Sequence, residues 1–101
     1  MYTVNGITYD LKFTMKAVDN IEKAVGKSIL QLFANRAFTI SELRACFQYG
    51  LTFEDGSKVA TGQAVKVFDA IIEGTDYGYS KLLNDVATHL MEDTPFLFQT
   101  A

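Results

Sequence analysis

The dipeptide Asn5-Gly6 lies between two short runs of strand-forming residues, and it limits the possible folds more than any other feature of the sequence. Asn and Gly tolerate the positive φ values of the two central positions in a type I′ turn, so the pair predicts a tight β-hairpin. In the second run, residues 7–13 (ITYDLKF), apolar and polar side chains alternate. That period of two predicts one buried face and one solvated face. Because an isolated hairpin is only marginally stable in water, its buried face must pack on other elements.

The sequence beyond the hairpin has the periodicity of short amphipathic helices with capping residues between them. Thr14 is a good cap for the first helix and Gly26 a good terminator, while Thr39 and Ser41 are equally good caps for the third. The predicted helices span residues 15–25, 29–34, 40–49, 61–73 and 79–92.

Two segments lack this periodicity. Residues 51–60 (LTFEDGSKVA) are predicted to be a loop with a turn at Asp55-Gly56, and Pro95 ends the last helix. We therefore expect one domain over residues 1–93 and a C-terminal tail over residues 94–101. The expected fold is α+β and mainly α-helical, with the N-terminal β-hairpin packed on four to five short helices.

Composition narrows the class of protein. Twelve acidic and nine basic residues give the 101-residue chain a net charge of −3, and its Lys and Arg residues form no cluster, so we do not expect nucleic-acid binding. Cys46 is the single cysteine, which excludes an intrachain disulfide and a cysteine metal cluster. No signal-peptide pattern and no run of about 18 apolar residues is present, so we expect a cytoplasmic protein without membrane association.

The stretch AVGKSI, residues 24–29, resembles the end of a nucleotide-binding P-loop. A P-loop requires a glycine that is separated from its Gly-Lys pair by four residues, and Ile21 occupies that position, inside a predicted helix. Helical backbone N–H groups are already bonded and cannot cradle a phosphate. Gly26 is therefore expected to end one helix and Ser28 to begin the next, with Lys27 as a surface residue.

The remaining candidates for catalysis are few. His89 is the only histidine, so a two-histidine zinc site is excluded, and no motif gives it a nucleophile. The acidic pairs at residues 54–55 and 92–93 are sequence neighbours, which do not converge on a substrate as a general acid and base must. We expect no enzyme activity, no catalytic residue, no metal and no cofactor.

Large apolar residues follow two of the helix-ending signals. Phe96, Leu97 and Phe98 come directly after Pro95, and they either fold back onto the core or stay available to a partner. Two further apolar residues, Leu51 and Phe53, lie in the predicted loop. The candidate partner-binding residues are therefore Leu51, Phe53, Phe96, Leu97 and Phe98.

Three segments in this order, YDLKFTMKAVDNIEKAVGKSI, SELRACFQYGL and AVKVFDAIIEG, resemble the small tail assembly chaperones of long-tailed bacteriophages and prophages. In that family an N-terminal strand leads directly into a helix that is closed by Gly-Lys-Ser. A helix that ends in Gly-Leu follows, and then a helix that ends near Ile-Glu-Gly. The resemblance covers roughly residues 7–92.

The resemblance implies a non-enzymatic protein that coats the long helical tape measure protein while the tail assembles and is absent from the mature virion. We also expect a homo-oligomer, because self-association through the candidate apolar residues would shield them until the client arrives. Many members have a longer form, made by a programmed frameshift, whose extension is thought to recruit tail tube subunits. Two alternatives remain open: a structural tail protein of the tube or tail-completion type, and a small adaptor or enzyme of unknown class.

Overall fold

The computed structural model describes residues 2–34, 38–74 and 78–97, apart from the side chain of Phe96. These residues form an α+β fold, as the sequence predicts, with a three-stranded antiparallel sheet and five α-helices. The elements in chain order are β1 (Tyr2–Val4), β2 (Ile7–Leu11), α1 (Met15–Val25), α2 (Ile29–Ala34), α3 (Ile40–Gly50), β3 (Leu51–Phe53), α4 (Thr61–Glu73), α5 (Tyr79–Asp93) and a 3-10 turn (Pro95–Leu97).

The hairpin prediction is confirmed. Asn5 and Gly6 have φ angles of 51° and 80°, and Val4 pairs with Ile7 across the two-residue turn. Ile7 departs from the predicted pattern, because its side chain at the end of the strand is exposed. The other apolar residues of the alternating run are buried: Tyr9, Leu11 and Phe13.

A third strand replaces the first part of the predicted loop. Leu51–Phe53 pairs antiparallel with β2, so that Leu51 lies opposite Leu11 and Phe53 opposite Tyr9. The prediction of a loop from residue 51 is therefore wrong, because three residues are too few for a visible period and the pairing partner is forty residues away. The turn that follows is confirmed, with Gly56 at a φ of 90°.

Local capping signals set the helix ends as predicted. The Thr14 side chain accepts a hydrogen bond from Ala17 N, and Gly26 ends α1 with a left-handed φ of 72°. Thr39, not Ser41, caps α3, and its bond from Glu42 N is reciprocated by the Glu42 carboxylate.

The core lies between the sheet and the helices, with α3 in contact with α1, α4 and α5. Phe47 of α3 stands at its centre, where its ring lies 5.4 Å from that of Tyr2 and 5.1 Å from that of Phe68. Packing of these rings joins the edge of the sheet to α3 and α4.

Candidate functional site

Lys27 of the Gly-Lys-Ser segment contacts α3. Its Nζ lies 2.9 Å from Oε2 of Glu42, and the Glu42 residue is only 7% exposed. The other carboxylate oxygen accepts a hydrogen bond from Thr39 N at 2.7 Å. This backbone bond and the Lys27 ammonium hold the pKa of Glu42 below its ordinary value. Lys27 is exposed, as expected of a surface residue, but it also neutralises a buried carboxylate, which the sequence did not indicate.

Polar residues on one side of α5 fix that helix to the sheet region. Asp85 accepts a hydrogen bond from the Tyr2 hydroxyl at 2.8 Å, and Asp93 accepts one from Phe13 N at 2.9 Å. His89 lies between these two positions, four residues from each, and its Nε2 is 3.8 Å from an oxygen of Asp10. His89 thus belongs to a row of contacts that orients α5.

The thiol of Cys46 is fully buried, and this burial raises its pKa to about 12. A nucleophilic cysteine instead needs an accessible position and a lowered pKa. Within residues 2–34, 38–74 and 78–97, no group of three or more His, Cys, Asp and Glu residues could hold a metal ion.

Two of the candidate partner-binding residues belong to the sheet. Leu51 is buried in β3, and Phe53 is half-buried with its ring stacked on that of Tyr9, 5.7 Å between centroids. Leu51 therefore offers no exposed surface to a partner, and Phe53 offers only part of its ring. The prediction that these two residues lie in a loop is wrong, because both belong to β3.

The candidates in the C-terminal tail have different placements. Leu97 is half-buried and packs against the core, so this part of the tail folds back. It lines a groove of about 680 Å³ together with residues of α1 that include Met15 and Val18. Met15 is 71% exposed. Phe98 and the side chain of Phe96 lie outside the described residues. We call this surface the α1–tail groove.

A second apolar groove lies between α2, the start of α3 and α5. It measures about 320 Å³ and is lined by Phe33, Phe38, Leu83, Asn84 and Ala87. The rings of Phe33 and Phe38 meet edge to face, 5.9 Å between centroids.

Two hydrogen bonds join the two sides of this second groove. Phe38 N donates to the Tyr79 hydroxyl at 3.0 Å, and this hydroxyl donates to the Phe38 carbonyl, so the segment before α3 is tied to the start of α5.

Exposed apolar residues extend this groove at both sides. Leu30 precedes Phe33 by one turn of α2 and is 50% exposed, and Met91 follows Ala87 by one turn of α5 and is 55% exposed. We call the groove together with Leu30 and Met91 the α2–α5 surface. In the sequence, Leu83, Ala87 and Met91 are spaced at four-residue intervals. This spacing does not reveal the surface by itself, because an apolar stripe of this kind is ordinarily assigned to the core.

Comparison with known proteins adds no assignment: no family model, no curated protein and no solved structure matches this chain. Across the described ranges, none of the helices is both long enough and apolar enough to cross a bilayer.

Proposed function

We propose that this chain is a phage or prophage tail assembly chaperone that binds the tape measure protein non-covalently. It acts in the host cytoplasm, without catalysis, and leaves before the virion is mature. The observation that carries the proposal is the exposed apolar surface. Two apolar grooves lie between packed elements. Among the described residues, five large apolar side chains are also exposed: Ile7, Met15, Leu30, Ile40 and Met91.

Such surface fits a helical client. An amphipathic helix exposes an apolar stripe until it is assembled, and a groove between two helices is a common way to cover it. Charged residues would add a desolvation cost if they were buried under such a helix, so an uncharged apolar groove is the favourable form. The residues that line the groove of the α2–α5 surface are all uncharged.

The order of elements supports the same proposal. The three segments that resemble the chaperone family run from Tyr9 in β2 through α1 to Ile29, from Ser41 in α3 to Leu51, and from Ala64 in α4 to Gly74. Gly26 and Gly74, which end the first and third helices of the family pattern, follow α1 and α4 directly. The order of strand and helices in the pattern is thus the order of β2, α1, α3 and α4.

The proposal includes two kinds of protein partner besides the tape measure protein. Copies of the chain associate with one another, which lines them along a rod-shaped client. If a frameshifted longer form is made, its extension recruits tail tube protein. Neither partner requires a cofactor, a membrane or nucleic acid.

Co-expression tests the proposal. The gene of a tape measure protein is very long, encodes coiled coil, and is expected directly downstream of this chain's gene, with a major tail protein gene upstream. We expect an affinity-tagged copy of this chain to retain a tape measure fragment through purification and to keep it soluble. Mass spectrometry of purified tails should then find the tape measure protein without this chain. Finding the chain in mature particles would favour a structural tail component instead.

A further inference from the structure

The turn between β1 and β2 contains two groups that can react with each other. The side-chain amide of Asn5 is followed in the chain by the backbone nitrogen of Gly6, and both residues are exposed. Apart from the adjoining residues, nothing in the described part of the chain lies within 4 Å of the place where a Gly6 Cβ would stand. Water therefore reaches the peptide bond between them, and no side chain of Gly6 hinders the nitrogen.

The reaction consumes only water. The Gly6 nitrogen loses its proton to base and attacks Cγ of Asn5. The bond from Cγ to the side-chain nitrogen then breaks, and that nitrogen takes up a proton and leaves as ammonia. Water opens the resulting succinimide ring at either of its carbonyls. Opening at Cγ gives aspartate with an intact main chain. Opening at the main-chain carbonyl gives isoaspartate, in which the chain passes through the side chain and is longer by a methylene group.

The folded turn opposes the first step. Ring closure requires rotation about the Cα–C bond of Asn5 until the Gly6 nitrogen eclipses Cβ. Asn5 instead has a φ of 51°, and the left-handed conformation to which this φ belongs has a ψ of about +30 to +60°. For an L-residue this ψ places the Gly6 nitrogen nearly opposite Cβ. The attack therefore requires the turn to leave its folded conformation, which means local opening of the hairpin.

A second pair of this type shows what restrains the same chemistry elsewhere. Asp55 precedes Gly56, and its carboxylate accepts hydrogen bonds from the Ser57 hydroxyl at 2.6 Å and from Ser57 N at 2.9 Å. These bonds hold the side chain on Ser57 and lower the pKa of Asp55, which keeps it an ionised and therefore poor electrophile. Asn5 carries a neutral amide, which is the better electrophile of the two.

The two products differ in their effect on the sheet. Asp-Gly is itself a favoured pair for a type I′ turn, so aspartate at this position keeps the hairpin. Isoaspartate adds a main-chain atom to the turn that sets the pairing of Val4 with Ile7. Loss of that pairing withdraws Tyr2, whose ring lies 5.4 Å from that of Phe47 and whose hydroxyl donates to Asp85 at 2.8 Å.

We propose that Asn5 is a site of spontaneous deamidation, that opening of the hairpin controls the reaction, and that the isoaspartyl product keeps β1 from pairing with β2. This modification is independent of the proposed function, because it involves only the chain and water. It is irreversible, so a chain that has formed isoaspartate does not regain the native hairpin.

Mass mapping of aged protein tests the site and its control by opening. The unchanged protein is kept in mildly alkaline buffer and, in parallel, unfolded in guanidinium chloride, and its peptides are scored for OH in place of NH2. In the folded protein we expect modification at Asn5 and none at Asn20 or Asn84, which lie within α1 and α5 and precede larger residues. Modification of Asn5 should be at least about tenfold faster in the unfolded chain.

Hydrogen exchange measures the effect on the sheet. The isoaspartyl fraction of the aged protein is separated by chromatography and identified by electron-transfer fragmentation. Amides of β1 and β2 should exchange at least about tenfold faster in this fraction than in fresh protein. Asn5→Gly is the matched control, because Gly-Gly also forms a type I′ turn and lacks the reacting amide. We expect aged Asn5→Gly and fresh Asn5→Asp to exchange like the fresh unchanged protein.

Each part of the proposal has a result that contradicts it. Absence of modification at Asn5 in the folded protein would overturn the site. Equal rates in buffer and in guanidinium chloride would overturn the control by hairpin opening. Unchanged amide exchange in the isoaspartyl fraction would overturn the effect on the sheet, as would faster exchange in aged Asn5→Gly.

Discussion

At the scale of single residues, the contact between Lys27 and Glu42 links the segment after α1 to α3, although the sequence around neither residue indicates it. The Glu42 carboxylate accepts hydrogen bonds from Thr39 N, at the N-cap of α3, and from the Lys27 ammonium, in the segment after α1. A buried carboxylate without a partner is costly, whereas an exposed ion pair contributes little. This pair is intermediate, because Glu42 is buried while Lys27 remains accessible.

Lys27→Ala should therefore lower the free energy of unfolding by about 1–2 kcal/mol, between the values for exposed and buried pairs. Lys23→Ala is the control, because Lys23 and its partner Asp19 are both exposed. That control should change stability by no more than about 0.5 kcal/mol. Urea denaturation followed by circular dichroism measures both. Equal effects of the two substitutions would mean that Lys27 does not neutralise Glu42.

The same pair gives stability a defined dependence on pH. The pKa of Glu42 is lower in the folded protein than its ordinary value of 4.5, so folding is favoured while the carboxyl is ionised. This contribution is fully present above pH 4.5 and is lost as the pH falls through the lowered pKa. Glu42→Gln keeps a capping side chain but removes the titration. We expect the unchanged protein to be more stable than Glu42→Gln at pH 7, with the difference shrinking in acid. A difference that does not vary with pH would contradict this account.

At the scale of elements, the junction between α3 and β3 depends on Gly50. This residue lies at the end of the helix, and the chain passes directly into the strand. Its carbonyl accepts a hydrogen bond from Lys12 N at 2.8 Å, and the ring of Phe13 occupies the space that a Cβ would need. The absence of a side chain thus lets β2, β3 and α3 meet closely.

Gly50→Ala should destabilise the protein by about 1–3 kcal/mol, because the added methyl group forces the buried Phe13 ring to move. Gly62→Ala is the matched control: Gly62 lies in α4 and nothing would lie within 4 Å of its new Cβ. The control should be neutral or stabilising by up to about 1 kcal/mol. Thermal unfolding of both variants measures the difference. A neutral Gly50→Ala would mean that the ring has room to shift.

The elements that sequence predicted are those with local signals. Asn5-Gly6 specifies its own turn, and Thr14 and Gly26 specify the ends of α1, so each is visible within a few residues. The third strand and the Lys27–Glu42 pair depend on residues far away in sequence, and no local period reveals them. The α2–α5 surface lies between these cases: its spacing is present in the sequence, but only packing shows that Leu82 is buried and Leu83 borders a groove.

At the scale of the whole molecule, the two apolar grooves have different neighbours and therefore different expected occupants. The groove of the α2–α5 surface is lined by uncharged residues of α2, of the segment before α3 and of α5. The α1–tail groove is bordered by charged residues of both signs, Lys16, Asp19 and Glu22, and by the tail residue Leu97. Charges of both signs allow two copies of one acidic chain to approach with paired rather than repelling groups. The proposed self-association is therefore expected at the α1–tail groove.

Self-association through this groove predicts oligomers whose mass rises with concentration. Met15→Glu places a charge on the most exposed large apolar side chain among the described residues, and deletion of Phe96-Leu97-Phe98 removes the tail side of the groove. Both changes should shift the chain towards monomer in light scattering, whereas Met91→Glu should not, because Met91 lies on the α2–α5 surface.

Met15→Glu is the cleaner variant, because Leu97 also packs on the core and its loss lowers stability as well. An unchanged protein that stays monomeric at all concentrations would remove self-association from the proposed function. Oligomers that persist in Met15→Glu and dissociate in Met91→Glu would instead place self-association at the α2–α5 surface.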